Sequence, residues 1–207
     1  MLVVLISGRG SNLQALLDAG LPVSAVISNE AGAAGLGLAE ARGVATAVIE
    51  HRRHSSREAF DAALANAIDR YEARLVALAG FMRVLTPGFV ERYAGRLLNI
   101  HPSLLPAFPG LNTHARALAA GVKVHGCTVH FVTSALDQGP IVIQAALSVR
   151  AQESAQTLAA RVLKLEHVIY PRAVRWFLED RLVVDGGTVS VKGNDAGGDA
   201  QLIVSPD

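Results

Sequence analysis

Short apolar runs alternate with amphipathic segments along the first half of the chain. Leu2–Ile6 contains only apolar residues and ends at Ser7, which is typical of a central parallel strand buried on both faces. Ser11–Ala19 then has apolar residues at helical spacing, and Gly20 closes it. The same alternation predicts further strands and helices at Val23–Ser28, Ala33–Arg42, Ala45–Ile49, the residues after Ser55, and Leu75–Ala79. It indicates βαβ units in a parallel, helix-covered sheet.

The pattern changes after Gly80. We predict a short helix, a strand that leads into a proline-rich loop, an antiparallel strand pair, a helical period that Pro171 interrupts, and a hairpin. The short helix spans Phe89–Tyr93, and the strand before the loop spans Arg96–His101. The antiparallel pair is Cys127–Thr133 with Ile141–Leu147. The helical period covers Thr157–Asp180, and the hairpin covers Val183–Val189. We therefore expect an α/β fold with a Rossmann-like, mostly parallel central sheet, flanking helices and an antiparallel C-terminal portion. We expect one domain over residues 1–192, with halves at 1–100 and 101–192, and a flexible tail over 193–207.

Composition and charge narrow the class of protein. The 207 residues are 51% hydrophobic and 18% charged, which describes a folded globular protein. A formal net charge of +1 gives no bulk electrostatic reason to bind nucleic acid or an acidic membrane. The longest apolar runs are far shorter than the ~18 residues of a membrane span. The single cysteine excludes an internal disulfide, and Met1 precedes a strand without signal-peptide features, so we expect a cytoplasmic protein.

A glycine-containing loop, Ser7–Asn12, lies between the first predicted strand and the first predicted helix. Its glycines allow a close backbone approach, and a helix N-terminus presents unpaired N–H groups to an anion. A dinucleotide fingerprint needs glycine where Leu13 stands, and no Gly-Lys-Ser/Thr sequence follows as in a P-loop. The loop therefore suits a single phosphate, and the alternative is a tight turn with an ordinary helix cap.

Asn99 and His101 stand two residues apart at the end of a predicted strand, so their side chains point to the same face. Ligands bind at such strand ends in open α/β sheets. An amide can donate to a developing oxyanion, and an imidazole can move protons at neutral pH. Asp137, in a loop with Gly139 and Pro140, can orient or charge-stabilise the imidazole. The alternative is that the amide and the imidazole only hydrogen-bond the proline-rich loop.

The remaining candidates for chemistry give weaker signals. His51 and His54 precede a helix cap among arginines and indicate a solvated face rather than a metal site. His114, His125 and His130 lack the spacing of metal ligands. No Gly-x-Ser-x-Gly nucleophile motif is present. We therefore expect neither a bound metal nor a covalent enzyme intermediate.

Five stretches carry a family resemblance and together cover most of residues 2–180: Val4–Gln14, Leu78–Leu85, Gly95–Pro106, Gly126–Val132 and Asp137–Ile141. In their order and spacing they resemble the phosphoribosylglycinamide (GAR) formyltransferases, folate-dependent enzymes of purine synthesis. The Asn-x-His-Pro-Ser-Leu-Leu-Pro element that begins at Asn99 is typical of folate formyltransferases. The Gly10-Ser11-Asn12 loop narrows that group to the GAR enzymes.

The resemblance implies that the formyl group of 10-formyltetrahydrofolate passes to the primary amine of GAR through a tetrahedral intermediate, with no metal. The 1–100 half would bind the phosphate, and the 101–192 half would bind folate and carry the catalysis. The catalytic residues would be Asn99, His101 and Asp137. The GAR site would comprise Gly10, Ser11 and Asn12 at the phosphate, with Pro109 and Glu166 beside the substrate. The folate site would comprise Arg57, Met82, Arg83, Val84, Leu85 and Asn99.

Other functions stay open alongside this one. A 10-formyltetrahydrofolate hydrolase has a similar core and uses water as acceptor, but it normally carries an N-terminal regulatory domain before the first strand. A methionyl-tRNA formyltransferase has an additional RNA-binding domain. A non-catalytic nucleotide-binding module would have no need of the Asn, His and Asp group. For the favoured function we expect GAR and 10-formyltetrahydrofolate as partners, no nucleic acid or membrane, and a monomer or homodimer.

Overall fold

The apolar runs of the N-terminal half form parallel strands in the structure, a computed structural model that describes residues 1–193 and 201–204. The strands are β1 Leu2–Ile6, β2 Val23–Ser28, β3 Ala45–Val48, β4 Leu75–Leu78 and β5 Leu97–His101. They pair in the order β3-β2-β1-β4-β5, and every pair is parallel. All of β1 is buried, as its unbroken apolar run predicts. Except for the last two residues of β5, these strands belong to the first of two compact units, Met1–Asn99.

The first unit contains four α-helices, and the sequence supplies side-chain caps for the last two. They are α1 Ser11–Asp18, α2 Ala34–Glu40, α3 Arg57–Asp69 and α4 Pro87–Arg92. At the start of α3 the Ser56 hydroxyl accepts a hydrogen bond from the Ala59 N–H at 3.1 Å. At the start of α4 the Thr86 hydroxyl accepts from the Phe89 N–H at 3.3 Å. A short 3-10 turn before α3, His51–Arg53, was not predicted.

The second unit contains the described residues from Ile100 onward. Its strands are β6 Val124–Phe131, β7 Ile141–Ser148, β8 Leu182–Asp185, β9 Thr188–Val191 and β10 Leu202–Val204, and its helices are α5 Thr113–Ala119 and α6 Ala155–Leu178. β6 and β7 are antiparallel, β10 lies parallel to β7, and β8 pairs with β9. The buried face of α6 packs against β6 and β7.

The predicted fold class is confirmed, with mostly parallel strands, flanking helices and antiparallel strands in the C-terminal portion. The antiparallel pair and the hairpin are also where the sequence predicts them. Gly186 and Gly187, between β8 and β9, both have positive φ, which is the geometry of the tight turn that joins such strands. None of the helices that the structure describes is both long and apolar enough to cross a membrane.

Three further features differ from the predictions. α5 was not predicted, because seven residues carry too short a helical period. α6 continues through Pro171 without the predicted interruption, because Pro171 lies on a buried apolar face whose packing outweighs one lost backbone hydrogen bond. Of the expected flexible tail, residues 194–200 and 205–207 lie outside the described residues. Within the same segment, Leu202–Val204 form β10, whose backbone pairs with β7.

A proline-rich loop, residues 102–112, follows β5 and is fastened to β6 and β7 by one buried hydroxyl. Thr128, on β6, is fully buried. Its hydroxyl donates to the Ser103 carbonyl at 2.7 Å and accepts from the Leu105 N–H at 3.0 Å. It also accepts from the Gln144 amide at 3.0 Å, and that amide donates to the Leu105 carbonyl at 2.9 Å. The loop conformation therefore depends on hydrogen bonds from the sheet.

We expect Thr128→Val to destabilise the protein by about 2–4 kcal/mol, because it keeps the side-chain shape but leaves buried partners of the hydroxyl unsatisfied. Urea unfolding measures the change. Thr188→Val, at an exposed position on β9, is the matched control and should change the free energy of unfolding by less than about 0.5 kcal/mol. Equal stabilities for the two variants would show that the loop does not depend on this hydroxyl.

Candidate active site

The glycine loop of the first unit lines a cavity of about 300 Å³. Ser7–Asn12 line it together with Ala79, Gly80 and Met82. The Ser7 hydroxyl accepts from the Met82 N–H at 2.7 Å, and the Ser7 N–H donates to the Gly80 carbonyl at 3.2 Å, which joins the two segments. Ser11 and Asn12, the first residues of α1, lie in this lining. A helix N-terminus opening on a cavity of this size is suited to a phosphate.

Glycine is required at position 10 for two reasons. Its φ is +79°, in the left-handed region that other residues rarely adopt. A Cβ there would also lie 2.7 Å from the Cα of Gly35 on α2, and the Gly35 N–H donates to the Gly8 carbonyl at 3.0 Å. Sequence reasoning missed Gly35. The signal was available, because glycine inside a helix is costly and indicates a close approach of another segment.

The predicted folate-binding residues of the first unit lie on α3 and on the segment between β4 and α4. Arg57 is the first residue of α3 and is exposed. Within Met82–Leu85, the side chains of Met82 and Val84 are 66% and 56% exposed, whereas Leu85 is buried. The segment thus presents apolar side chains on an exposed surface.

A buried contact fastens the same segment to α3. The Thr86 N–H donates to Oδ2 of Asp61 at 2.6 Å, and Asp61 is buried. Arg83 is half-buried, and its Nε is buried without a hydrogen-bond partner among the described residues. Sequence reasoning missed Asp61, whose position on the apolar face of an amphipathic helix was the available signal.

In the second unit, the imidazole of His101 faces the carboxylate of Asp137. His101 ends β5 and is 5% exposed, and the side chain of Asp137, in the loop between β6 and β7, is 9% exposed. Nδ1 of His101 lies 3.5 Å from Oδ2 of Asp137. The Gly110 N–H donates to the same oxygen at 2.7 Å. The structure therefore brings these two predicted residues together at the proline-rich loop.

The other ring nitrogen fixes the orientation of the imidazole. Nε2 of His101 lies 3.1 Å from the carbonyl oxygen of Phe108. A carbonyl only accepts, so Nε2 carries a hydrogen, and Nδ1 is left to exchange a proton beside Asp137. A charge-assisted hydrogen bond is about 2.7–2.9 Å long, so the 3.5 Å pair is loose, and such pairs tighten in substrate complexes. The arrangement suits a histidine that moves a proton.

A second histidine, His130, faces the other oxygen of the same carboxylate. Its Nε2 lies 3.9 Å from Oδ1 of Asp137, and its Nδ1 lies 2.9 Å from the carbonyl oxygen of Phe131. Burial lowers the pKa of His130, so the ring is neutral and Nδ1 holds the hydrogen. Nε2 of His130 and Oδ1 of Asp137, which lie 3.9 Å apart, are therefore both hydrogen-bond acceptors. Sequence reasoning assigned His130 no role, because its spacing matches no motif.

The loop that carries Asp137 turns back tightly on β6. The Phe131 N–H donates to the Pro140 carbonyl at 2.9 Å, and a Cβ on Gly139 would lie 1.7 Å from the Phe131 carbonyl oxygen. Only glycine fits there. Asp137 itself has φ +54°, in a region that aspartate tolerates better than most residues. The close approach at Gly139 thus fixes the path of the loop just after Asp137.

The other predicted residues lie on different elements. Asn99 is half-buried on β5. Pro109 and Asp137 both line a cavity of about 400 Å³. Glu166, on α6, is 7% exposed, and burial together with the Glu166 charge raises the pKa of the Cys127 thiol. Within residues 1–193 and 201–204, no group of three or more His, Cys, Asp or Glu residues is arranged to hold a metal ion.

A family model described as formyl transferase matches residues 1–174. The chain belongs to the formyl transferase family. It is 52% identical over 187 residues to phosphoribosylglycinamide formyltransferase of Escherichia coli (strain K12), which covers 87% of this chain and 88% of that protein. It is similar to the structure of glycinamide ribonucleotide transformylase 1 from Symbiobacterium toebii, with a TM-score of 0.91, 47% identity and 93% of each chain covered. Phosphoribosylglycinamide formyltransferase from Coxiella burnetii gives a TM-score of 0.90, 46% identity and 98% of each chain.

Two further histidines of this formyl transferase lie close to the proline-rich loop. His125, on β6, is 1% exposed, and its ring packs edge-on against Phe108 with 6.1 Å between centroids. Its Nε2 lies 3.2 Å from Nδ1 of His114, and its ring donates to the Pro102 carbonyl. Burial lowers the pKa of His125 to about 4, with smaller contributions from His114 and His101. The folded protein therefore holds His125 neutral.

We expect His125 to make the protein less stable as the pH falls from 7.5 to 5.5. An unfolded histidine has a pKa of about 6.5, and the folded pKa is about 4, so protons in this window bind only the unfolded chain. The contribution of neutral His125 to the free energy of unfolding is complete above the pKa of the unfolded state. It is lost as the pH falls toward the pKa of the folded state. The loss should be roughly 1 kcal/mol at pH 5.5.

Urea unfolding of wild type and His125→Asn at pH 7.5 and 5.5 measures this effect. The asparagine amide keeps a donor for the Pro102 carbonyl but does not titrate, so the variant should lose less stability between the two pH values. A variant that loses as much as wild type would contradict the role of His125.

Proposed function

We propose that this protein transfers the formyl group of 10-formyltetrahydrofolate to the amine of 5′-phosphoribosylglycinamide (GAR) in purine biosynthesis. The observation that carries the proposal is the pair of His101 and Asp137, held by the Phe108 carbonyl and the Gly110 N–H. The activity named for the Escherichia coli relative supports the same function. We further propose that the protein acts in the cytoplasm as a monomer or homodimer, without metal, nucleic acid or membrane.

The phosphate of GAR binds at the glycine loop in this proposal. Gly10, Ser11 and Asn12 supply N–H groups at the start of α1 and line the 300 Å³ cavity. Pro109 and Glu166 flank the rest of GAR. Pro109 supports this role by lining the same cavity as Asp137, and the Glu166 carboxylate is an acceptor for the ribose hydroxyls.

The folate binds at Arg57, Met82–Leu85 and Asn99 in this proposal. The exposed side chains of Met82 and Val84 offer apolar surface to an aromatic ligand. The backbone of this segment lies outside helix and strand, so its N–H and carbonyl groups are suited to hydrogen-bond a pterin. The Arg57 guanidinium, exposed at the start of α3, suits the carboxylates of the folate glutamate.

The amine nitrogen of GAR attacks the formyl carbon, which gives a tetrahedral intermediate with a negative oxygen and a positive nitrogen. The Asn99 amide donates to that oxygen. His101 and Asp137 pass the amine proton toward N10 of the folate, and the bond between N10 and the formyl carbon then breaks. Because the Phe108 carbonyl holds the Nε2 hydrogen, Nδ1 of His101 is the atom that exchanges the proton.

Two features argue against a hydrolase and against a non-catalytic nucleotide-binding module. A 10-formyltetrahydrofolate hydrolase uses water as acceptor and gains nothing from a helix N-terminus opening on a phosphate-sized cavity. A non-catalytic nucleotide-binding module gains nothing from a histidine and a carboxylate buried together, which is costly unless it serves a purpose. The transfer reaction uses both features.

We expect purified protein to release tetrahydrofolate from 10-formyltetrahydrofolate only when GAR is present, with one formyl-GAR formed per folate. Glycinamide riboside, which lacks the phosphate, should have a kcat/KM lower by orders of magnitude. The reason is that charge-assisted hydrogen bonds contribute about 1.5–3 kcal/mol each. Chromatography of both products, with each acceptor and with none, measures this.

Two results would contradict the proposal, and they identify different errors. Folate release at the same rate without an acceptor would identify a hydrolase. Equal kcat/KM for GAR and the riboside would leave transfer intact but remove the phosphate from the Gly10-Ser11-Asn12 loop.

A further inference from the structure

One arginine contacts the proline-rich loop at three points near the His101 and Asp137 pair. Arg116 lies on α5, and its Nη1 donates to the Pro109 carbonyl and, at 3.4 Å, to the Leu111 carbonyl. The central carbon of its guanidinium lies 5.8 Å from the centroid of the Phe108 ring, within the range of a cation–π contact. Arg116 therefore spans four residues of the loop.

These contacts fall on the residues that hold the pair or lie next to them. Phe108, whose ring lies under the guanidinium, supplies the carbonyl that accepts from Nε2 of His101. Gly110, whose N–H donates to Asp137, lies between the two residues whose carbonyls accept from Arg116. A shift of this part of the loop would move both supports of the pair.

The loop has a conformation that needs outside support. Phe108 and Asn112 have φ of +54° and +55°, in the left-handed region, which is unfavourable for phenylalanine and better tolerated by asparagine. Such residues persist where the surroundings over-determine their geometry. The hydroxyl of Thr128 supports the beginning of the loop through Ser103 and Leu105. Arg116 is the side chain of α5 that supports its end.

We propose that Arg116 is a positioning residue for formyl transfer, which holds residues 108–111 so that His101 and Asp137 stay aligned. The proposal rests on the catalytic roles proposed above for those two residues. An arginine suits the task because its planar fork reaches two carbonyls while one face covers a ring. A lysine has one compact charge and cannot do both.

We expect Arg116→Ala to lower kcat about tenfold, because small displacements of catalytic groups cost much of the rate. KM for GAR should change less than kcat, since Arg116 does not line the phosphate cavity and reaches GAR only through Pro109. The melting temperature should fall by no more than about 3 °C, because the contacts are made at the surface. Arg116→Lys should recover part of kcat.

Arg172→Ala, at an exposed position on α6, is the matched control and should have wild-type kcat. A double-mutant comparison separates positioning from a general structural role. In an Asp137→Asn background, Arg116→Ala should lower kcat by less than about twofold, because the alignment that it disturbs no longer contributes.

Three results would overturn the proposal: wild-type kcat for Arg116→Ala, a loss confined to KM, or the full tenfold loss in the Asp137→Asn background. A different result would show that the catalytic roles proposed for His101 and Asp137 are wrong. It would appear as wild-type kcat in the single Asp137→Asn variant, whatever Arg116→Ala does.

Discussion

The carboxylate of Asp137 is the charge on which the arrangement of the second unit depends, because a carboxylate this far from solvent needs donors around it. It has the Gly110 N–H at 2.7 Å and the imidazole of His101 at 3.5 Å on one oxygen, and the His130 ring at 3.9 Å from the other. The Gly110 N–H and the His101 imidazole must therefore converge on one oxygen, whereas the neutral His130 ring faces the other oxygen with its unprotonated Nε2. The same convergence leaves His101 beside a proton-accepting group.

The proline-rich loop connects the Asp137 carboxylate to the strands through hydrogen bonds. Thr128 and Gln144, both on paired antiparallel strands, hold the beginning of the loop by hydrogen bonds. The end of the loop then supplies the Phe108 carbonyl and the Gly110 N–H to the pair. This proline-rich segment is thus held by more hydrogen bonds from neighbouring strands than a surface loop usually is.

Hydrophobic periodicity and short motifs predicted many of the strands and helices and several candidate site residues. The other features depend on tertiary contacts that leave no pattern in the sequence. The buried strand Leu2–Ile6 and the antiparallel pair were predictable because their apolar runs have a strand's length and spacing. Asn99 and His101 could be named from their spacing at the end of a strand, and Asp137 from its place in a loop with Gly139 and Pro140. The Phe108 carbonyl and the Gly110 N–H could not, because every residue has these groups and only the folded loop selects them. The continuation of α6 through Pro171 depends likewise on packing against other elements.

Replacement of Asp137 by asparagine tests the central claim, that the charge of this carboxylate drives the proton transfer. Asparagine keeps the shape and an oxygen for the Gly110 N–H, so thermal unfolding and the dissociation constant for GAR should match wild type. We expect kcat to fall by at least about 10²-fold, the effect of losing a positioned acid–base group. Asp185→Asn, at an exposed position on β8, serves as control and should keep wild-type kcat. A folded Asp137→Asn variant with wild-type kcat would contradict the account.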